Sequence, residues 1–538
     1  MVRTLLAVFF VGLVSPSVAQ IHINPIAFRP LSPDPTTTNR LNGESYQQDA
    51  LATFKGWQYA SAWIVSEGNT SVRNAAISRR ELTDESGEWE TLILTDYNQT
   101  EDDGHDTISL GISPTDGTLH LGFDQHDNPL RYRVSKPGVA LRPSEVKWEA
   151  EVFGEVLHAL PGLEDLDASL PQPLHFVNIT YPRFLRIPPT SLISEGNSTQ
   201  KPDLLLELRV GRSGLGDDWI YHYFPGSNNS TGAWELVGKY LAGVKNNAYI
   251  NGLDFDSSGN LHATWTYRDF INDTGKDVAV QAGPNGPENN HDLNYAYSSD
   301  AGFTWYNNWG QQIADLRQSV NESSTVLVKN ARSIEFDDEA VDATIYPTSP
   351  GIVVFGIPKY GGILNQEAQT VDAEGRVHVL NRENGTGTAL EGVERWYHYW
   401  RAPAFESNSS CSISGTPHWT RAPLPFSLAD ESINNITRTP LVIGKRGKLV
   451  AISVPQQNGS GSDTTLLALL PDNAVNSTGL SILGSTAKGN FRDWKILHEH
   501  AEGSKWEPLF DRYREDGMLS LYLVNGTDVG VLDIDLGL

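Results

Sequence analysis

The sequence predicts an all-β fold, a single-domain β-propeller of seven blades, on three observations. Helical periodicity is nearly absent from the 538 residues, and short strand-like runs lie between Gly, Pro, Asn, Asp and Ser. A unit of strand, tight turn and strand recurs, at Asp116-Gly-Thr-Leu-His-Leu, Ser258-Gly-Asn-Leu-His-Ala, Glu374-Gly-Arg-Val-His-Val, Arg446-Gly-Lys-Leu-Val-Ala and Asp516-Gly-Met-Leu-Ser-Leu. Tryptophans mark outer strands further along, at Trp89, Trp148, Trp234, Trp305, Trp419 and Trp494. Repeats of short strands with aromatic marks mean blades that bury their faces only against each other. The turn repeats, an N-terminal unit and one near residue 200 make about seven blades. A sandwich or a two-domain chain predicts no such repeat.

Taken in order, residues 1–19 read as a secretory leader. Arg3 precedes the apolar run Leu5-Leu-Ala-Val-Phe-Phe-Val-Gly-Leu-Val, and small residues place the cut after Ala19. No later segment is apolar and long enough to span a bilayer. Asn-x-Ser/Thr sequons, from Asn69 and Asn98 to Asn476 and Asn525, fit a secreted glycoprotein. Residues 20–55 resemble no blade and read as an N-terminal lead-in that supplies a closing strand. Residues 56–538 form the propeller, whose two chain ends close the ring in one blade. Cys411 is the only cysteine, so neither an internal disulfide nor a cysteine zinc cluster can form, and a large core must hold the chain together.

The net charge of −26 argues against nucleic acid or an anionic membrane as partner. It leaves room for an acidic polysaccharide, which needs only a local arginine cluster. The protein is expected to be a monomer. Ser298-Ser-Asp-Ala-Gly-Phe-Thr-Trp305 fits the Asp-box pattern S-x-D-x-G-x-T-W. In such a box Asp and Ser bond a hairpin backbone, Gly takes a strained dihedral and Trp packs below. The box supports a fold and says little about a reaction.

Chemistry concentrates in one hairpin. Asp103-Gly-His-Asp-Thr-Ile-Ser-Leu-Gly-Ile leads into Asp116-Gly-Thr-Leu-His-Leu-Gly-Phe-Asp-Gln-His-Asp-Asn-Pro-Leu-Arg-Tyr. Antiparallel pairing brings His105, at the start of one strand, and His126, at the end of the next, to the same rim. Two imidazoles there suit proton transfer near neutral pH; the plainer alternative is ordinary polar residues at strand ends. Inner strands are expected to open at Gly56, Gly104, Tyr181, Asn247, Asn365, Thr437 and Trp506. Their side chains place Gln58, Tyr59, His105, Tyr181, Arg183, Tyr249, Gln366, Arg438 and Glu507 on one mouth. Polar and aromatic groups around a concavity suit a carbohydrate, or else line a water-filled channel. Arg209, with Arg212, ends the second strand of the third blade; its guanidinium suits a carboxylate, or a structural ion pair. No cofactor is required by this reading. His291-Asp292 and the Asp-rich loops leave room for a structural calcium ion, without a recognisable ligand spacing.

The His-bearing hairpin, with Thr180-Tyr-Pro-Arg-Phe, Arg209-Val-Gly-Arg-Ser-Gly-Leu-Gly-Asp and Asn294-Tyr-Ala-Tyr-Ser-Ser-Asp-Ala-Gly-Phe-Thr-Trp, resembles the BNR-repeat propeller lyases that act on uronic-acid polysaccharides. Ulvan lyases share parts of the pattern; the secreted L-rhamnose-α-1,4-D-glucuronate lyases acting on gum arabic resemble it most. The resemblance covers roughly residues 55 to 530. It implies His105 as catalytic acid/base, His126 as a second catalytic histidine, and a catalytic tyrosine that matches Tyr181 or Tyr249. We take Tyr249 as catalytic, and Tyr181, Arg183, Gln366 and Arg438 as substrate-binding. The resemblance also implies Arg209 as the arginine that neutralises the uronate. The implied reaction is β-elimination, releasing terminal rhamnose and leaving a 4,5-unsaturated glucuronate. Two other readings compete. A rhamnosidase needs paired carboxylates, for which Glu507 and Glu367 are the candidates. A lectin-like propeller leaves the two histidines without a role.

Overall fold

The computed structural model describes residues 21–538 except 45, 48, 85, 194–200, 228–229, 271–288, 318–342, 385–393, 403–417, 428–445, 456–461, 473–478 and 501–506. The leader and Arg438 therefore lie outside the described residues. Seven antiparallel sheets follow one another along the chain, as the repeat predicts. Their first strands are Leu51–Phe54, Ile108–Ile112, Ile179–Arg186, Asn246–Phe255, Ala368–Val371, Lys448–Pro455 and Leu509–Phe510. These pack against one another around the ring, for example Ile108–Ile112 on Ile179–Arg186 and Asn246–Phe255 on Ala368–Val371. We number the blades 1 to 7 in that order.

The ring closes as expected. Asn24–Pro33 pairs with Asp528–Asp535, so the N-terminal strand is the outermost strand of blade 7. Blade 2 keeps three strands, and between its second, Leu119–Phe123, and its third, Tyr132–Val134, the chain adds His126–Asn128 beside the first strand of blade 3. Apolar faces meet between blades. Trp63, Leu110, Leu121 and Trp148 pack together between blades 1 and 2, and Leu467, Ile482, Leu521 and Ile534 between blades 6 and 7. A blade covered on both faces has apolar residues throughout its middle strands, which explains why strict alternation is weak in runs such as Leu204-Leu-Leu-Glu-Leu.

Four of the five turn repeats work as turns; the fifth, Arg446-Gly447, leads into Lys448–Pro455, the first strand of blade 6. Gly117, Gly259, Gly375 and Gly517 have φ of 67, 86, 78 and 78° and join the first and second strands of their blades. The turn aspartate accepts backbone N–H groups: Asp256 from Ser258 and Asn260, Asp372 from Glu374 and Arg376. The histidine of the repeat is structural. His262 and His378 are buried and face those aspartates at 3.2 and 3.1 Å. The Asp box forms as its pattern requires. Asp300 accepts from the Thr304 N–H and hydroxyl at 2.7 and 2.8 Å, Gly302 has φ of 102°, and buried Trp305 stacks on Tyr240. Asp300→Ala removes two charge-assisted bonds from a buried turn; a loss of about 2–3 kcal/mol in urea unfolding is expected. Midpoint and slope unchanged from the parent would contradict that role.

Two expectations need correction. Gly56 does not open an inner strand. Lys55 and Gly56, with φ of 48 and 77°, make the two-residue turn between Leu51–Phe54 and Trp57–Ser66. The propeller therefore starts before residue 56, and Gln58 and Tyr59 lie on the second strand. Gln58 bonds Asp511 and Arg80, and Tyr59 is buried near Trp148. Trp148 itself is not on a strand; its indole N–H donates to the Ile77 carbonyl from a connecting segment.

Candidate active site

His105 lies in the turn just before Ile108–Ile112, and His126 opens the short strand after Leu119–Phe123. The ladder pairs Ile108 with Phe123, and continued by three residues it sets His105 opposite His126. Their rings stack with centroids 3.8 Å apart and planes 21° from parallel. Asp103 holds both. One carboxylate oxygen faces His105 Nδ1 at 2.6 Å and the other faces His126 Nδ1 at 2.6 Å. With both Nδ1 atoms donating, both Nε2 atoms are left on the far side of the rings, as proton acceptors when neutral.

Aromatic rings continue the stack. Tyr46 lies 5.2 Å from His105 at 14°, Tyr181 packs edgewise on Tyr46, and Tyr249 edgewise on Tyr181. Tyr181 holds φ of 62°, a conformation a bulky residue rarely adopts, and Asp127 and Gln366 also have positive φ. Such strain collects where a structure over-determines a side chain's aim. Arg209 is buried. Its Nη2 donates to Thr180 Oγ1 at 3.0 Å and to Asp127 at 3.1 Å, while its Nε and Nη1 find no acceptor among the described residues. Its guanidinium lies 4.9 Å from the Tyr181 ring centre. Arg268 donates to the Tyr249 hydroxyl at 3.0 Å, to Asn290 and to Asn365.

The charges are graded along this line. Burial disfavours the charged form of His105 and lowers its pKa; the Asp103 contact only partly offsets that, and charge on His126 lowers it further. Burial works to raise the Asp103 carboxyl, but the two imidazoles outweigh it and hold the group well below its usual range. Burial likewise works to raise the Tyr249 phenol, and the Arg268 and Arg209 guanidiniums outweigh it, leaving Tyr249 below its ordinary value. Tyr181 is pushed up by burial. The cluster thus offers a neutral imidazole base, a shared carboxylate, and a guanidinium with two unused donors.

A family model described as BNR repeat-containing family member matches residues 57–409. The chain belongs to this family. Among curated relatives, the long isoform of ulvan lyase from Pseudoalteromonas sp. (strain PLSV) is 21% identical over 379 residues, covering 66% of this chain and 33% of the relative. The long isoform of ulvan lyase from an Alteromonas sp. is 26% identical over 191 residues, 31% of this chain and 17% of the relative. The chain thus spans about a third or less of these relatives' length. Among solved structures, the polysaccharide lyase Uly1 superposes with a TM-score of 0.55 at 14% identity, covering 96% of this chain and 100% of that one. An ulvan lyase of polysaccharide lyase family 25, bound to a -[GlcA(1-4)Rha3S]- chain, gives 0.53 at 12% identity, over 94% and 95%. These superpositions establish that this BNR-repeat chain shares their fold.

Within the BNR-repeat propeller, His105, His126, Tyr181, Tyr249 and Arg209 come together as the sequence reading expected. Arg183 does not join them: its guanidinium pairs with buried Glu207 at 2.8 Å and with the Ile250 carbonyl. That commitment corrects its expected role, and follows from the register that sets Arg183 opposite Glu207. Gln366 is buried and accepts from Asn365; it is Asn365 that bonds Arg268 and Arg446. Glu507 sits beneath the site, bonded to the Arg446 backbone and side chain. Sequence reasoning missed Asp103, Tyr46, Arg268 and Arg446. Only Asp103 had a signal, its place two residues before His105.

Among the described residues, Asp103, His105 and His126 form the one group whose donor atoms converge, within 4.8 Å, closely enough to hold a metal. In the arrangement described, however, both imidazole Nδ1 atoms carry protons that bond Asp103, so the three form a hydrogen-bonded group and not a ligand set. His291 is engaged differently. Burial works against its charge, but Asp269 and Asp292 outweigh it and raise the imidazole to about 9, making it a cation among carboxylates and Lys359.

Proposed function

We propose that the chain is a secreted polysaccharide lyase. It releases terminal L-rhamnose from α-1,4-linked D-glucuronate by β-elimination. The carrying observation is the stacked His105–His126 pair, tied through both Nδ1 atoms to Asp103 and standing beside buried Arg209. The ulvan lyases that share the fold, one of them bound to a glucuronate–rhamnose chain, support a uronate–rhamnose substrate. The net charge does not oppose it, because the arginines are local.

The chemistry follows from the geometry. A C5 proton beside a charged carboxylate is poorly acidic. Arg209 neutralises that carboxylate and stabilises the enolate-like intermediate. Neutral His105 takes the C5 proton through Nε2. The electron pair of the C5–H bond becomes the C4=C5 double bond as the C4–O4 bond breaks. The departing O4 then receives the proton from His105, so no water is consumed. In D-glucuronate the C5 hydrogen and O4 lie on one face of the ring, so groups on one side of the sugar suffice. Tyr249, held toward its phenolate by Arg268 and Arg209, is the second candidate base. The same phenol would suit assistance at the reacting face, with Tyr181 lining the sugar.

Hydrolysis is less well served. The Glu507 and Glu367 side chains are both fully buried and engaged by Arg446 and Arg382, so neither is placed to flank an anomeric carbon. Incubation with a rhamnose-capped glucuronide is expected to give rhamnose and a product absorbing in the ultraviolet band of a conjugated uronate. Saturated glucuronate as the sole partner product, with heavy oxygen from the solvent in the freshly released rhamnose, would establish hydrolysis instead.

A further inference from the structure

The segment between the closing strand Asn24–Pro33 and blade 1 belongs to no sheet, yet it is laced across the site. The Thr38 and Asn39 N–H groups donate to the Asp102 carboxylate at 2.8 and 2.7 Å. The Gln47 amide donates to the Ile108 carbonyl, and the Glu507 N–H to the Gly43 carbonyl. The strap therefore ties blade 7 to the turn that carries Asp103 and His105. Its one contribution to the aromatic stack is Tyr46. That ring is 6% exposed, its hydroxyl donates to the Gly104 carbonyl at 3.0 Å, and the Arg446 guanidinium lies over it at 5.5 Å.

We propose that Tyr46 is a positioning residue for His105, its ring fixing the imidazole plane that Asp103 and His126 alone would leave free to rock. His105 sits in a turn, not on a strand, and its backbone is held by local bonds alone, its N–H on Asp103 and its carbonyl on the Thr107 N–H. Asp103 fixes one ring nitrogen but permits rotation about that hydrogen bond. Two ring contacts, His126 at 3.8 Å and Tyr46 at 5.2 Å, remove that freedom. The hydroxyl bond to Gly104 registers the strap against the turn. Tyr46 also excludes water from the imidazole, which keeps it neutral. The charged and titratable groups facing His105 are Asp103 on its own turn, His126, Tyr46, Tyr181 and Arg209, with Arg446, Glu44 and Glu507 behind Tyr46.

The kinetic arm of the test rests on the lyase reading; a titration arm does not. Nuclear magnetic resonance of histidine-labelled protein, with the His105 signal assigned by its loss in His105→Gln, reads the imidazole without substrate. In Tyr46→Met, which fills the volume without a ring, His105 is expected to titrate at higher pH than in the parent. The acid limb of kcat then moves up in pH, and kcat falls by about 10²-fold with KM little changed, the usual cost of a misplaced group. Tyr46→Phe keeps the ring and is expected to keep the parent titration. Asp102→Ala, at an exposed turn, is the second variant. It cuts the Thr38 and Asn39 anchors without touching Tyr46, and its lost negative charge would by itself lower the His105 titration, so a rise there reports loosened stacking. A His105 titration unchanged or lowered in every folded variant overturns the proposal, as does a Tyr46→Phe protein that behaves like Tyr46→Met. Absence of an unsaturated product from the parent protein defeats the lyase reading alone, and the titration still decides Tyr46.

Discussion

His105→Phe is expected to reduce elimination by at least about 10³-fold, because in the proposed mechanism one residue serves as base and then as acid, and each role is commonly worth about 10²–10⁴-fold. Both ring nitrogens go, while a planar ring remains to stack on Tyr46 and His126. The side chain is about a third exposed and lies in a turn, so the propeller should fold. The loss should sit in kcat, since the imidazole's work is done on the reacting bond. Burial lowers the pKa of His105, so the parent's activity should hold down to a pH below that of an ordinary imidazole, then fall as His105 protonates. A folded His105→Phe protein, verified by circular dichroism, that turns over rhamnosyl-glucuronate at the parent rate would refute the assignment.

Arg209→Ala is expected to lower kcat/KM by roughly 10²–10³-fold, the scale of losing a buried charge-assisted pair of about 3–4 kcal/mol. In the proposed mechanism the donors offered to the uronate are Nε and Nη1, which find no acceptor among the described residues. Removing the guanidinium also takes away one of two cations that hold Tyr249 down, so its phenol should rise toward the value burial favours. Arg209→Lys keeps the charge but not the planar fork, and should recover only part of the rate. A carboxyl-reduced substrate gives the control: it reacts slowly with the parent and should be hardly affected by the substitution. An equal fall on both substrates would mean that Arg209 acts through the fold, by way of Thr180 and Asp127.

Much of this molecule was legible because its determinants are local. Strand-like runs, turn glycines that need positive φ, and the Asp box each depend on fewer than ten neighbouring residues, and a repeat of such units already implies a ring. The His105–His126 convergence was legible for the same reason, since a hairpin with a short turn fixes which residues face each other. Local signals also misled. Gly56 resembles a strand entry but completes a turn with Lys55, and which of two adjacent strands is innermost depends on the neighbouring blade, not on the strand.

What only the tertiary structure decided is how groups from different blades share the site. Asp103 bonds His126 23 residues away, Arg268 meets Asn365 97 residues away, and Tyr46 meets Gly104 across 58. A ring of blades makes such contacts, because its first strands converge at one axis whatever their distance in sequence. Arg183 shows the reverse: a good ligand by composition, taken by Glu207 through strand register. The sequence by itself determined a propeller and a pair of histidines on one rim. The closing of the ring decided which carboxylate, guanidinium and aromatic ring surround them, because those contacts are set by the packing of blades, and no local stretch of chain encodes that packing.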